Sequence, residues 1–183
     1  MRITGTTVYL RPVQKNDMSS FFNAVQDEEI RYMTGTTNTF TMEQLYEHYE
    51  RMTNDEHRFD FAICLLNSDE VLGDLSILEI DETNQKAGFR IALHHQHVLN
   101  KGYGTEAIKL ALRFAFEQLK LNRLQLEVFS HNIRGIKAYE KIGFKIEGVL
   151  RQSLYLNNQY SDEIIMAMIR TDYNELKNTM NSL

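Results

Sequence analysis

The chain has 183 residues, 43% of them hydrophobic, and a formal net charge of −5 at pH 7. This length supports one substantial core and is short for two typical domains, so we expect a single domain over residues 1–183. The sequence has no apolar run long enough to span a membrane, no signal-peptide-like N terminus and no cluster of basic residues. These features argue against membrane and nucleic-acid partners and favour a cytoplasmic protein.

The first predicted elements are a strand and a helix. Apolar and polar residues alternate from Thr7 to Pro12, which is typical of a strand. Asn16 and Asp17 then offer side chains that can cap a helix from Met18 to Val25. Residues 27–40 lack a sustained period, and we expect a loop with a broken helix there.

A second helix and three strands follow. Thr41 and Gln44 have the spacing of a capping box, and apolar residues recur at helical spacing up to Met52. Turn signals separate three β-rich segments, which predicts an antiparallel meander. The predicted strands are Phe59 to Leu66, Val71 to Ile80 and Lys86 to Leu93. The single cysteine, Cys64, lies in the first of them, so we expect a buried structural thiol and no intrachain disulfide.

A glycine turn occupies the middle of the chain, at Lys101-Gly102-Tyr103-Gly104-Thr105. Glycines permit positive φ and close backbone approach, and the start of the following helix adds partial positive charge. The pattern predicts a site for a phosphorylated ligand, although a tight turn before a core helix explains it equally well.

The last third of the chain predicts a helix, a strand, another helix and a hairpin. An apolar stripe follows the glycine turn, and alternation from Leu124 to Phe129 predicts a strand after a crossover, hence a parallel pair. A helix is expected from Asn132 to Ile142, then a hairpin over 144–169 that turns at Asn157-Asn158, and a short terminal helix. The predicted fold class is α/β (α+β), with a mixed, mostly antiparallel sheet of six to seven strands flanked by helices.

One face of the helix after Asn132 carries a possible ligand site. Asn132, Gly135, Ile136 and Tyr139 stand at i, i+3, i+4 and i+7, which places them on one side. The amide can bond an amide-containing ligand, the glycine leaves room for it, and the phenol can protonate a basic leaving group. The structural alternative is that Asn132 only caps the helix and Tyr139 only packs in the core.

The ordered set of motifs resembles the GNAT superfamily of acetyl-CoA-dependent N-acetyltransferases, over nearly the whole chain. Segments near both ends are similar to the subgroup of ribosomal-protein N-terminal and spermidine acetyltransferases. The motifs are Leu10-Arg11-Pro12, Gly73-Asp74-Leu75, Gly88-Phe89-Arg90-Ile91, the glycine turn with Glu106-Ala107, Asn132, and Tyr139-Glu140-Lys141-Ile142-Gly143-Phe144.

This resemblance implies a set of acetyl-CoA contacts. The backbone from Leu99 through Asn100, Lys101, Gly102, Tyr103 and Gly104 to Thr105 would hold the pyrophosphate. Ile91 and Leu93 would pair with the pantetheine arm, Asn132 would contact it beside Gly135, and Tyr139 would lie near the sulfur. The chain departs from the family pattern twice, with Leu99 at a usual Arg or Gln position and Lys86 where many relatives have an acidic residue.

Because Lys86 stands where many relatives have an acidic residue, we expect a carboxylate elsewhere in the chain to act as the general base. Glu127 has the Glu, Asn, Tyr spacing with Asn132 and Tyr139 that resembles ribosomal-protein N-terminal acetyltransferases, and we expect it to be the base, with Tyr139 as the acid. Glu79 is the next candidate, a water chain is a further one, and a solvated strand face is the structural alternative for Glu127. The acceptor is expected to be a primary amine on a protein N terminus or a small molecule such as a polyamine.

Three other interpretations stay open from the sequence. We expect no metal at His94, His95 and His97, because neighbouring residues of an extended chain point to opposite sides. Gly102-x-Gly104-x-x-Ala107 also fits a loose dinucleotide fingerprint, so a dinucleotide-dependent oxidoreductase is one alternative. A noncatalytic CoA-binding regulatory module is the other. The oligomeric state is open, with a homodimer possible.

Overall fold

The computed structural model of the chain describes residues 1–181. Eight strands occur in this part: β1 Ile3–Thr4, β2 Val8–Pro12, β3 Phe59–Leu65, β4 Val71–Asp81, β5 Lys86–Leu93, β6 Arg123–Phe129, β7 Lys145–Leu156 and β8 Gln159–Ile169. The α-helices of the same part are α1 Met18–Gln26, α2 Glu28–Thr34, α3 Met42–Thr53, α4 Tyr103–Arg113, α5 Ile133–Ile142 and α6 Arg170–Asn181. None of these helices is long and apolar enough to cross a membrane.

All eight strands form one sheet in the order β1-β2-β3-β4-β5-β6-β8-β7. Neighbouring strands of the described chain are antiparallel except β5 and β6, which run parallel and are joined by the crossover through α4. Their pairing ends at Gly88 with Gln125, whereas β5 stays paired to β4 as far as Leu93. The sheet therefore splits between β5 and β6 toward their C-terminal ends.

The fold class predicted from the sequence is confirmed, and the sheet has one more strand than the six to seven expected. The additional strand, β1, is two residues long and pairs only with β2, at Ile3 with Leu10 and Thr4 with Tyr9. Two residues carry no periodicity, so the sequence gives no signal for it. The hairpin of β7 and β8 turns at Asn157 and Asn158, both at positive φ, as predicted.

A short helix, α2, forms where the sequence predicted a loop with a broken helix. The Asp27 side chain accepts a hydrogen bond from the Ile30 backbone at 2.9 Å and caps its start. Gly35, at φ 67°, ends it in the left-handed conformation. These end signals enclose seven residues, too few for a clear helical period.

The expectation that Asp17 caps α1 with its side chain is wrong. The Asp17 carboxylate is buried and accepts two hydrogen bonds from the Arg11 guanidinium, at 2.7 and 2.8 Å, and one from the Gln14 backbone at 2.7 Å. A bidentate ion pair of this kind is stronger than a neutral cap. It fixes the end of β2 against the start of α1.

The core has two parts because side chains alternate across the sheet. Phe61 and Ile63 point to the face covered by α4, which continues into a π-helical turn at Phe114–Gln118. Ala62 and Cys64 point to the face covered by α1 and α3. Cys64 is fully buried there, as predicted.

Candidate active site

Two cavities meet at the split in the sheet. The first, called the large cleft here, has a volume of about 860 Å³ and lies on the α1–α3 face, where Asp60, Ser76, Arg90 and Glu127 line it. The second, called the narrow groove, has about 210 Å³ and lies between the ends of α4 and α5. The residues that border both are Ile30, Met33, Thr34, Ile91, Ala92, Asn132 and Tyr139. A molecule in one cavity can therefore meet a molecule in the other.

The narrow groove begins at the predicted glycine turn. Gly102 has φ 85° and precedes the first residue of α4, and a Cβ built on it would meet no atom within 4 Å. A Cβ on Gly104 would touch only the Leu93 side chain, at 3.6 Å. The turn thus leaves the helix N terminus open, and this geometry fits a phosphate group. Of the segment from Leu99 to Thr105, only Lys101 lies outside the groove lining.

Predicted residues on β5 and α5 also line the narrow groove. Ile91 and Leu93 come from β5, at the part of the strand that has lost its β6 partner. Gly135 borders the groove from α5, together with Asn132 and Tyr139. The structure therefore brings the predicted acetyl-CoA residues other than Lys101 to one groove, although they come from separate segments.

Asn132 caps α5, which was the structural alternative for this residue. Its Oδ1 accepts from the Gly135 backbone at 2.9 Å, and its Nδ2 donates to the Met33 carbonyl at 3.3 Å. A Cβ on Gly135 would stand 2.9 Å from Nδ2, so the close approach of the Asn132 amide already requires glycine there. Contact of Asn132 with a pantetheine arm stays a prediction.

Tyr139 lies where the two cavities meet. It is 9% exposed, and its ring packs edge-on against Phe144 at 5.8 Å between centroids. No hydrogen bond from the described residues engages its hydroxyl. Burial raises the pKa of Tyr139 to about 12, so the phenol keeps its proton at neutral pH.

Glu127 and Glu79 both line the large cleft, with Glu163 beside Glu127. Partial burial in the cleft raises the pKa of Glu127, and the negative charge of Glu163 raises it further. Glu79 sits at an irregularity of β4, with φ 53°, and makes a smaller contribution in the same direction. These carboxylates form an acidic end of the cleft, and within it the raised pKa of Glu127 favours its role as a proton acceptor.

A hydrogen-bonded chain links Ser20, His94 and Asp74, which sequence reasoning missed. His94 is buried, its Nε2 donates to Asp74 Oδ1 at 2.6 Å, and its Nδ1 accepts from Ser20 Oγ at 2.8 Å. The order resembles that of a nucleophilic triad, but Ser20 lines neither cavity. Its position indicates a structural tie from α1 to β4 and β5. The residues are too far apart in the chain for a local signal.

The other two histidines of the cluster make different contacts from those of His94. His95 and His97 stack on each other at 5.3 Å, and His97 lies 3.6 Å from Glu70. The part of the chain that the structure describes holds no group of three or more His, Cys, Asp or Glu residues that could bind a metal ion.

Helix α2 bridges the split in the sheet. On the β5 side, Gln96 donates to Glu29 at 2.7 Å. On the β6 side, His131 donates to the Tyr32 carbonyl at 2.6 Å and stacks on the Tyr32 ring. These contacts hold α2 against both cavities, so it fixes part of the wall of each.

Comparison with known proteins identifies the family. The acetyltransferase (GNAT) domain matches residues 7–145, which is most of the chain. The chain belongs to the GNAT acetyltransferase family. As a GNAT enzyme it is an acetyl-CoA-dependent N-acetyltransferase, and the predicted enzyme class is confirmed.

Relatives of this GNAT enzyme include both members of the subgroup expected from the sequence. Spermidine N(1)-acetyltransferase of Escherichia coli K12 is 27% identical over 168 residues, covering 91% of this chain and 88% of that protein. The putative ribosomal N-acetyltransferase YdaF of Bacillus subtilis is 31% identical over 111 residues, 60% and 59% of the two chains. A crystal structure of spermidine N-acetyltransferase from Vibrio cholerae, in complex with CoA and spermine, has the same fold: its TM-score is 0.87 at 23% identity, with 93% and 99% covered.

Proposed function

We propose that the enzyme transfers the acetyl group directly from acetyl-CoA to a primary amine within a ternary complex. Acetyl-CoA occupies the narrow groove, the amine enters the large cleft, and the reaction takes place where the cavities meet. The observation that carries this proposal is the position of Tyr139, which borders both cavities with a free hydroxyl.

Acetyl-CoA binds mainly through the backbone in this proposal. The pyrophosphate lies on the turn from Leu99 to Thr105, whose open glycines and helix N terminus offer N–H donors. The pantetheine arm runs beside Ile91 and Leu93, where β5 has no β6 partner and its polar backbone groups are available. Gly135 and the Asn132 cap border the same path.

The chemical step needs one proton removed and one supplied. The amine nitrogen attacks the thioester carbonyl carbon, the C–N bond forms, and the C–S bond breaks. Glu127 accepts the amine proton directly or through water, and Tyr139 gives its proton to the departing sulfur. The burial that raises the pKa of Tyr139 also disfavours a free thiolate beside it, so the departing sulfur needs a proton donor there.

The need for a base depends on the acceptor. At pH 7.4, deprotonating an alkyl amine of pKa about 10.4 costs about 4 kcal/mol, whereas an α-amine of pKa about 8 costs less than about 1 kcal/mol. Relatives named for spermidine support small amines, and the relative named for ribosomal acetylation supports a protein N terminus. Glu127 is therefore more important for an alkyl amine than for an α-amine.

Initial rates measured over a matrix of acetyl-CoA and amine concentrations test the direct transfer. We expect intersecting double-reciprocal lines and acetylated amine in the products. The control is the Ser20→Ala variant, which should keep the intersecting pattern because Ser20 lies outside both cavities. Parallel lines, or an acetyl group found by mass spectrometry on Cys64 or Ser20, would show an acetyl-enzyme and contradict the proposal.

A further inference from the structure

We propose that the preferred acceptor carries an anionic group, a carboxylate or a phosphate, beside its reactive amine, and that Arg51 and Arg90 bind this group in the large cleft. The inference rests on the proposed function only in placing the amine near Glu127. It narrows the range of acceptors from primary amines in general to primary amines that also carry an anionic group.

The sheet register places Arg90 opposite Glu127. Gly88 and Gln125 are the last paired residues of β5 and β6, and Arg90 and Glu127 each follow two positions later. Because side chains alternate along a strand, both point to the same face as that pair, and both line the large cleft. A basic and an acidic side chain thus flank the split where the acceptor must enter.

Further basic groups surround Arg90. Arg51 and His48 come from α3 and Arg58 directly precedes β3, and all three line the large cleft. Burial lowers the pKa of His48, and the positive charges of Arg58, Arg90 and Arg51 lower it further. All four groups line the same cleft and the three arginine charges act on His48, so together they form one basic patch.

The ion pairs of the structure leave part of this patch unneutralised. Arg58 donates two hydrogen bonds of 2.7 Å to Asp60, and Asp60 also accepts from Ser76 Oγ at 2.6 Å. Arg51 and Arg90 have no side-chain hydrogen bond or ion pair with any described residue. Two guanidinium groups with free donors, beside a satisfied one, are suited to bind a carboxylate or phosphate.

A separate observation, at Arg31, favours a ligand that accepts hydrogen bonds in the large cleft. It projects from α2 and lines the large cleft. Its Nε is buried without a hydrogen-bond partner in the described chain. An unpaired buried donor is unfavourable, and an anionic ligand would satisfy it.

A polyamine fits this arrangement less well. Its first ammonium group can meet Glu127, but any further positive charge that extends past the acidic end toward Arg51 and Arg90 is repelled. An acceptor with an amine and an anionic group places each charge beside an opposite one. The cleft therefore selects acceptors by the arrangement of their charges as well as by the presence of an amine.

Matched peptide amides test this inference, because their α-amines are alike and they differ in one side chain. The carboxylate arm compares Ala-Asp-amide with Ala-Asn-amide, and the phosphate arm compares Ala-phosphoserine-amide with Ala-Ser-amide. Spermidine is the third type of acceptor. We expect the anionic member of one arm to have a kcat/KM about tenfold higher than its neutral partner, and the arm with the larger ratio identifies the anion.

Variants of the basic patch complete the test. We expect Arg90→Gln and Arg51→Gln to remove the preference, because each lowers kcat/KM for the anionic peptide about tenfold more than for the neutral peptide. Arg90→Lys should restore part of it, and Arg151→Gln, on the exposed part of β7, is the control. Circular dichroism confirms that each variant is folded.

The possible failures are distinguishable. Equal kcat/KM for charged and neutral peptides, or an Arg90→Gln variant that keeps the preference, overturns the inference and leaves direct transfer intact. A higher kcat/KM for spermidine than for every peptide also overturns it. If no amine of any class is acetylated while acetyl-CoA binds, both the inference and the proposed function are wrong.

Discussion

The narrow groove and the large cleft differ in how the chain builds them. The groove is lined mostly by backbone and uncharged side chains from residues 91–108, α2 and α5, and its charged members are Glu29 and Arg134. The cleft uses charged side chains from helices and strands spread between Arg31 and Glu163. A site made of backbone groups forms wherever one segment adopts the right local conformation. A site made of charged side chains forms only after several distant helices and strands have packed together. In the proposed function, the groove binds acetyl-CoA for every acceptor, whereas the cleft selects among acceptors.

Changing Tyr139, which belongs to both cavities, should have the largest effect. Loss of a positioned proton donor typically costs about 100- to 10,000-fold in rate, and we expect Tyr139→Phe to lower kcat by this amount for every acceptor. Its affinity for acetyl-CoA, measured by calorimetry, should change little because the ring remains. Tyr155→Phe, on the exposed hairpin, is the matched control. If Tyr139→Phe keeps more than about half of the wild-type rate when chemistry is limiting, Tyr139 is a packing residue.

The groove alone is altered by the double variant Gly102→Val, Gly104→Val. Valine side chains would occupy the open turn, and φ 85° at Gly102 disfavours any side chain. Hydrogen bonds to a charged group are worth about 1.5–3 kcal/mol each, so losing one predicts roughly 10- to 100-fold weaker acetyl-CoA binding by calorimetry. Gly148→Val, on β7, is the control. Unchanged affinity in a folded double variant rules out the pyrophosphate site.

The cleft alone is altered by Glu163→Gln, and the expected effect is a shift in pH dependence. Burial and then the negative charge of Glu163 raise the pKa of Glu127. Removing that charge lowers the pKa, so Glu127 becomes an ionised base at lower pH, and the acidic limb of kcat at saturating acceptor should move to lower pH. The limb should not move in Glu127→Gln, Glu163→Gln relative to Glu127→Gln. A limb that moves upward, or moves without Glu127, contradicts the assignment of the base.

The sequence predicted the elements whose signals are local. Strand β5 has the expected bounds, Lys86 to Leu93, because its alternation is clear and turns flank it. The glycine turn was recognised because its features are local: Gly102 adopts positive φ, and the absence of a side chain at Gly104 leaves the helix start open. Within the predicted loop with a broken helix, the bounds of α2 were not predicted, because its cap and its end glycine enclose too few residues for a period.

The sequence could not predict contacts that depend on the assembled sheet. Ser20 and His94 are 74 positions apart, and the tie between them becomes visible only when α1 packs on the end of β5. The apposition of Arg90 and Glu127 depends on the register of a parallel pair that the crossover through α4 creates. The spacing of Glu127, Asn132 and Tyr139 suggested residues of one site, and all three line the large cleft. The side chain of Asn132, however, is engaged as the cap of α5.

The open junction between the two cavities has a consequence for inhibitor chemistry. Since Tyr139 and its neighbours border both, one molecule can fill both cavities at once: CoA joined through its sulfur to a short amino acid or peptide. Tethering makes the second half bind at a high effective concentration, so the conjugate should inhibit more strongly than either half. Its CoA half would be recognised by other GNAT enzymes as well. Selectivity for this enzyme would then come from the half that lies between Glu127 and Arg90.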